Sequence, residues 1–356
     1  MIICDNIIFE LQRIGGVSKV WSKIIQGIDK TNLDINFLEG YGARKNIFRQ
    51  EFELKHPLIY ERSPAFFRRV AKARQKADIF HSSYYRISKN AKSNIVTIHD
   101  FINEIFPESF RDRALARMKK EACLNADKII VISQTTKDDL LKHYSFVDPG
   151  KVEVVYNGVD EEFYPDPWLG HHRVDDKELK PNSFFLFVGA RGTCKNFSYA
   201  LKFLQANYNQ GLTLPLILVG GGSFSEKEKR YARELGLPSS AIRQLTNVDN
   251  NLLRRLYSSC QALLIPSIYE GFGLPALEAS RCGALVLASR GGALGEIVGE
   301  TDYAFDLRSK DDYLRVIAKG FDNTLAKQER DRLLVRSQRF GWESAVKRHA
   351  EIYGEL

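Results

Sequence analysis

Short apolar runs alternate with longer amphipathic stretches along the whole chain, and the alternation starts twice. In the first series, strands are expected at 2–5, 34–38, 78–82, 94–98, 128–132 and 152–156, with helical patterns at 17–28, 109–125 and 135–143. A polar, proline-bearing stretch, YPDPWLGHHRVDDKELKPNS (164–183), interrupts the pattern. Strands then follow at 184–188, 215–219, 241–245, 262–266, 284–288 and 303–306, and helices at 196–207, 225–235, 249–258, 274–281 and 311–322. Alternation of this kind argues for parallel, doubly wound sheets. Two series joined by a polar segment predict an α/β chain of two Rossmann-like domains, 1–163 and 164–340, facing a cleft. The closing GWESAVKRHAEIYGEL is a further helical pattern with Trp342, Val346, His349, Ala350 and Tyr353 near one face.

Composition narrows the function classes. The 44% hydrophobic and 27% charged content of the 356 residues is that of a soluble globular chain. No apolar run is long enough for a membrane span, and MIICDN is not a secretory signal. Five scattered cysteines (Cys4, Cys123, Cys194, Cys260, Cys282) with no C-x-x-C pair fit reduced thiols in a cytoplasmic protein without a structural metal. Of the net charge of +8, residues 1–160 carry about +6 and the rest about +2. A basic half suits an anionic membrane or a phosphorylated substrate. Nucleic acid ranks last, because zinc spacing, RNA-binding aromatics and basic-zipper heptads are all missing.

Ligands of open parallel sheets sit beyond the carboxyl ends of the strands, so the strand-end motifs carry the functional argument. PSIYEGFGLPALEAS (266–280) follows the strand Ala262–Ile265. Gly271 and Gly273 permit a sharp turn and close approach of a ligand. Pro275 suits a first helical turn, and the open helix start is an anion site. Glu270 lines the mouth of this turn, and Glu278, one turn into the helix, leans back toward it. One carboxylate suits sugar hydroxyls, the other a ribose diol, with phosphate over the amides between. A rival reading fits the same letters: Gly271-x-Gly273-x-x-Ala276 matches a dinucleotide fingerprint, with Arg290 facing a 2′-phosphate. Against it, the match lies in the fourth unit of its domain, not the first.

FLFVGARGTCKNF (185–197) ends a strand at Gly189 and offers Arg191 and Lys195, a guanidinium fork plus an ammonium, for a diphosphate. TIHDFINEIFPE (97–108) places His99 at a strand end, as a structural histidine or as a donor to a sugar hydroxyl or developing oxyanion. Gly15-Gly16 precede a helix and allow close substrate approach. LVGGGS (218–223) is a similar strand end, a turn or a ligand contact. RSPAFFRRVAKARQK (62–76) has six cations and no acid; it reads as a helix on an anionic membrane surface or as a solvated helix packing its phenylalanines on the domain. No Asp-x-Asp occurs, so no divalent ion is required to meet the diphosphate charge, and no metal site or cofactor is expected.

These motifs resemble the retaining glycosyltransferases of family 4, which have the GT-B fold. CDNIIFELQRIGGVSKVW is similar to the family's opening, VTIHDFINEIFPE to its histidine–aspartate strand end, and FVGARGTCKNF to its diphosphate loop. PSIYEGFGLPALEA is similar to its E-x(7)-E signature. IIVISQTTKDDL and VEVVYNGVDEEFYP look like the end of its first domain, and WESAVKRHAEIY like the terminal helix that crosses back onto that domain. The resemblance implies that Glu270 contacts donor-sugar hydroxyls, aided by the amides of Gly271, Phe272, Gly273 and Leu274. Glu278 holds the ribose, Arg191 and Lys195 grip the diphosphate beside Gly189, and Gly16 approaches it from the first domain. His99 lies beside the transferred sugar, and Gln244, Leu245 and Thr246 line the base. One departure stands out: Ala190 follows the strand glycine where many members place the arginine, and Cys194 replaces the tyrosine of the branch that reads S-R-x-x-Y-K-N.

The implied activity is metal-independent transfer of a hexose, with retention, from a nucleotide-diphospho-sugar to a growing polysaccharide or lipid-linked oligosaccharide. UDP-glucose is the first donor expected and GDP-mannose the next. The protein would be cytoplasmic, with a peripheral membrane contact through 62–76. An NADP-dependent oxidoreductase, a sugar-nucleotide epimerase of the same architecture and an inactive nucleotide-binding subunit stay open.

Overall fold

Leu216–Val219 (LILV) and Ala262–Ile265 (ALLI) are buried along their whole length. Continuous apolar strands of this kind need cover on both faces, which crossover helices supply in a parallel sheet. The computed structural model describes residues 1–62, 72–168, 172–174, 177–309, 312, 315–316 and 322–356. Most of the basic stretch 62–76 and of the helix expected at 311–322 therefore lies outside the described residues. The chain divides into two compact units, Met1–Gly158 with Phe340–Leu356, and Val159–Arg339. The first division thus falls after Gly158, where the sequence placed it at 163.

The first unit holds a seven-stranded parallel sheet. Its strands are β1 (Ile2–Asp5), β2 (Ile35–Gly40), β3 (Leu58–Glu61), β4 (Ala77–Ser82), β5 (Ala91–Ile98), β6 (Lys128–Val131) and β7 (Val152–Val154). They lie in the order β3-β2-β1-β4-β5-β6-β7. Strand β3 was not anticipated; it is four residues long, LIYE, and half-buried or exposed at the edge of the sheet.

The last helix, Trp342–Gly354, returns to this unit and packs against the helix Gly16–Ile28. The Val346 side chain presses so closely on Gly27 that a Cβ there would lie 2.2 Å from Val346 Cγ2. Polar contacts fix the helix in the core. Tyr353 Oη sits 2.7 Å from His81 Nδ1, and His81 Nε2 lies 2.8 Å from Thr97 Oγ1. Trp21 meets the His81 ring edge-on at 5.0 Å, and His349 stacks on it at 5.8 Å. His349 Nδ1 donates to the Ala345 carbonyl at 2.8 Å.

The second unit begins with a hairpin, β8 (His172–Val174) and β9 (Lys177–Leu179). A six-stranded parallel sheet follows: β10 (Phe185–Val188), β11 (Leu216–Val219), β12 (Ile242–Leu245), β13 (Ala262–Ile265), β14 (Val286–Ser289) and β15 (Ala304–Phe305). The order is β12-β11-β10-β13-β14-β15. Phe185, Phe203, Leu216, Leu264 and Leu287 build its core. The polar stretch after residue 163 is not a bare linker. Asp166 accepts from Arg254 at 2.8 Å, and Trp168 is buried, its amide donating to Ser259 Oγ at 2.9 Å. The helices Leu294–Val298 and Asn323–Ser337 were also not anticipated. Among the described residues, no helix is long and apolar enough to cross a membrane.

Burial holds the three core histidines of the first unit neutral: His99 falls to about 3, His349 to about 4, and His81 well below its usual range. The unfolded chain then binds more protons than the folded one below about pH 6.5. Their stabilising effect is complete above that pH and is lost as pH falls toward the folded values. Unfolding free energies from urea titrations at pH 7 to pH 5 should therefore drop, by up to about 1.4 kcal/mol per pH unit for each histidine. His349→Gln removes one such proton site and should make the decline shallower.

Candidate functional site

A sheet ordered 3-2-1-4-5-6 sends its connections in opposite directions from strands 1 and 4, which opens a crevice at their carboxyl ends. Each unit has such a point, at β1/β4 and at β10/β13. In the first unit the chain fills it with its own charges. Asp5 accepts from Arg86 Nη1 and from Ser82 Oγ, both at 3.0 Å, and Arg86 forks onto Glu61 at 3.1 and 3.2 Å. Asp5 and Arg86 are only 1% and 3% exposed. In the second unit the corresponding charges are reachable: the Lys195 side chain is 29% exposed and that of Glu270 is 10% exposed.

These two residues meet. Lys195 Nζ donates to both Glu270 oxygens, at 2.6 and 2.8 Å, and Ser267 Oγ donates to Oε1 at 2.7 Å. The contact joins the loop after β10 to the loop after β13, and a backbone bond from Ile268 N to Cys194 O (2.7 Å) ties the loops directly. From beneath, Ala293 N donates to Glu270 O at 2.8 Å. Glycines make that approach possible. A Cβ on Gly291 would lie 2.4 Å from Ile268 O, and one on Gly292, which has φ +63°, 2.3 Å from Glu270 O.

The helix Leu274–Arg281 starts where the sequence placed it, with Gly273 at φ +105° and Pro275 in its first turn. The amides of Gly273 and Leu274 donate to nothing among the described residues, so the helix start keeps donors for an anion. Gly271 and Phe272 are buried. Glu278 is 6% exposed and accepts from Tyr257 Oη at 3.1 Å. Burial, and then the Glu278 charge, raises the Tyr257 phenol well above its usual range, so it stays a donor.

The sequence reading made Arg191 a fork for the diphosphate; in the structure its side chain is 4% exposed and four of its five N–H donors are engaged within the protein. Nε donates to Glu228 Oε1 at 2.7 Å, Nη1 to Gly220 O at 2.9 Å, and Nη2 to Gly222 O and Ser223 O at 2.9 and 2.8 Å. Gly189, just after β10, turns the chain at φ +124°. Gln244 Nε2 also donates to Gly222 O. Leu245 is buried and Thr246 exposed, at the end of β12.

In the first unit, His99 is buried and lines a cavity of about 10 Å³ with Trp21, Thr97, Asn157 and His349. Its Nε2 has no hydrogen-bond partner among the described residues. With its pKa near 3, it is a neutral hydrogen-bonding group and not a cation at neutral pH. Gly16 is exposed, and a Cβ there would meet nothing within 4 Å, so local packing does not demand glycine. Sequence reasoning missed Ser267, Tyr257, Gly291 and Gly292. Ser267, Gly291 and Gly292 are small residues after β13 and β14, common in any loop, and Tyr257 is a buried residue of the helix Asn250–Ser259 that reads as core. No group of three or more His, Cys, Asp or Glu side chains suited to a metal occurs among the described residues.

Two Rossmann-like units, the second with a cation–carboxylate pair and an open helix start at its switch point, define a GT-B class of protein. Residues 14–163 match the model of Glycosyltransferase Family 4, and residues 172–334 match that of Glycosyl transferases group 1. The chain belongs to the GT-B glycosyltransferases. It is 27% identical over 290 residues to the serotype-specific mannosyltransferase WbdA of Escherichia coli, covering 77% of this chain and 35% of WbdA. It is 29% identical over 199 residues to the O-antigen chain mannosyltransferase RfbU of Salmonella typhimurium, covering 56% of this chain and 52% of RfbU. The chain thus spans about a third to about a half of the length of these relatives. Its fold is shared with WaaG, a glycosyltransferase involved in lipopolysaccharide biosynthesis (TM-score 0.70, 14% identity, 99% of each chain). It is shared too with Anabaena HepE, solved with UDP and glucose (TM-score 0.73, 15% identity, 100% of this chain and 99% of that one).

The packing under Glu270 yields a test. Gly292→Ala forces a Cβ into the Glu270 backbone at positive φ, whereas a Cβ on Gly295 has open space. Gly292→Ala should lower unfolding free energy by about 1–3 kcal/mol, and Gly295→Ala should not lower it. Urea denaturation of the two variants checks this; equal effects would show that the loop is not held as described.

Proposed function

We propose that the protein transfers a hexose from a nucleotide-diphospho-sugar to a hydroxyl of a growing surface polysaccharide. The observation that carries the proposal is the Lys195–Glu270 pair at the β10/β13 switch point, beside the donor-rich start of the helix Leu274–Arg281. A diphosphate offers the anion that Lys195 and the amides of Gly273 and Leu274 are placed to hold. Displaced from Lys195, Glu270 accepts hydrogen bonds from sugar hydroxyls, and Glu278, oriented by Tyr257, takes the ribose diol. The names of two relatives favour mannose: WbdA is a serotype-specific mannosyltransferase and RfbU an O-antigen chain mannosyltransferase. GDP-mannose therefore moves ahead of UDP-glucose as the first donor to test.

In this reading the bond from the anomeric carbon to the diphosphate oxygen breaks as the acceptor oxygen bonds that carbon from the same face. Configuration is retained, and a departing phosphate oxygen takes the acceptor proton. Lys195 and the helix amides stabilise charge growing on the leaving group, so the step calls for no divalent ion. The chain's own residues supply positioning and charge stabilisation.

A thermal-shift panel of GDP, UDP, GDP-mannose and UDP-glucose tests site, base and sugar together, since a ligand that binds only the folded state raises Tm. GDP-mannose should give the largest shift. Transfer assays with the bound donor should show Glu270→Ala and Lys195→Ala each slowed by about a hundredfold or more. Near-normal transfer by both variants would remove the assignment.

A further inference from the structure

Arg191 is held too firmly to serve as a free anion ligand, and what it holds is informative. Gly220, Gly221 and Gly222 take successive left-handed conformations, with φ of +82°, +76° and +74°. Such a run is costly to order, because glycine has the most conformational freedom to lose. The guanidinium collects three carbonyls of this segment, from Gly220, Gly222 and Ser223. Its planar fork suits several acceptors at fixed angles, which an ammonium does not match. Glu228 then anchors the arginine. Its Oε1 accepts from Arg191 Nε, and its Oε2 accepts from Ser225 N and Ser225 Oγ, both at 2.7 Å, at the start of the helix Glu226–Glu234.

The fit is close enough that a Cβ on Gly221 would lie 2.7 Å from Arg191 Nη1 and 2.9 Å from Gly189 O. With the carbonyls engaged, the amides of Gly220 to Ser223 remain as donors that meet no acceptor among the described residues. Gln244, at the end of β12, bonds to the same segment through Gly222 O. The clamped loop thus stands at the carboxyl ends of β11 and β12, next to the strand expected to face the base.

We propose that Arg191 is a positioning residue: anchored by Glu228, it shapes Gly220–Ser223 into a rigid wall for the nucleoside half of the donor and leaves the diphosphate to Lys195. This rests on reading the second unit as the donor site. It separates two cations that the sequence motif presents as equivalent partners. Arg191 acts on the protein's backbone and contributes to affinity for the base and ribose, whereas Lys195 answers to the diphosphate.

Hydrogen exchange on the protein alone tests the clamp without any nucleotide. Arg191→Ala should speed exchange of the amides in 219–224 by tenfold or more, on the order expected when local order is lost. Glu228→Ala should act in the same direction, and the double variant should be no worse than Arg191→Ala, because the two side chains act as one unit. Titration with GMP, GDP, UMP and UDP then separates the two cations. Arg191→Ala should weaken monophosphate and diphosphate by the same factor, whereas Lys195→Ala should weaken the diphosphate selectively. Donor KM should rise in Arg191→Ala with kcat held within about twofold, a split that a global loss of structure does not produce. Arg191→Lys, which keeps the charge without the fork, should not rescue. Unchanged exchange with a diphosphate-selective loss in Arg191→Ala would overturn the proposal and return the arginine to the phosphate. Should Arg191→Ala not fold, Glu228→Ala carries both measurements. If no nucleotide binds the unmutated protein, the donor-site reading falls, and exchange alone decides the clamp.

Discussion

Lys195 and Glu270 come from loops 75 residues apart, yet the ammonium donates to both carboxylate oxygens. A carboxylate that is only 10% exposed is costly to keep charged without a partner. The lysine meets that cost, and Ser267 assists. A ligand that loosens this pair must offer an anion to the lysine and hydroxyls to the glutamate at once. A sugar esterified to a diphosphate carries both, whereas a bare anion satisfies only one side. Under the proposed function the pair is a selectivity element, and everything that fixes the two loops contributes to it.

The loops are fixed by backbone more than by side chains. Cys194 O and Ile268 N join them, Ala293 N supports Glu270 from below, and Gly291 and Gly292 let the supporting turn pass at distances no Cβ tolerates. The parallel sheet puts these turns side by side because β10 and β13 are neighbours although two strands separate them in sequence. The first unit has the same topological opportunity at β1/β4 and closes it with Asp5, Arg86 and Glu61. One construction thus yields a receptive crevice in one unit and a sealed, load-sharing ion cluster in the other.

Arg191 shows how a motif and its geometry can diverge. Its spacing from Lys195 suggests two phosphate ligands, but a guanidinium has donors enough to organise a glycine loop, and the structure uses three contacts for that purpose and a fourth to Glu228. In the first unit the terminal helix is held comparably, through Tyr353, His81 and His349, by hydrogen bonds and ring contacts in a region where charge is excluded. Both cases place polar side chains in the service of backbone placement.

The sequence by itself determined the alternation of strand and helix, and with it two parallel sheets, because buried strands need continuous apolar residues and crossover helices need an apolar stripe. It also determined the glycine turn and helix start at Gly271–Pro275, since positive φ and a missing N–H restrict which residues fit there. Edge strand β3 escaped, being four residues long and only partly buried, as did the contribution of Asp166 and Trp168 to a stretch that looked like linker. Only the tertiary structure decided which charged groups meet. That Lys195 finds Glu270 while Arg191 finds Glu228 and three carbonyls, and that Tyr257 finds Glu278, depends on chain crossings that residue spacing does not encode. The direction of a long side chain is set by the space its neighbours leave, and that space exists only once the sheet has formed.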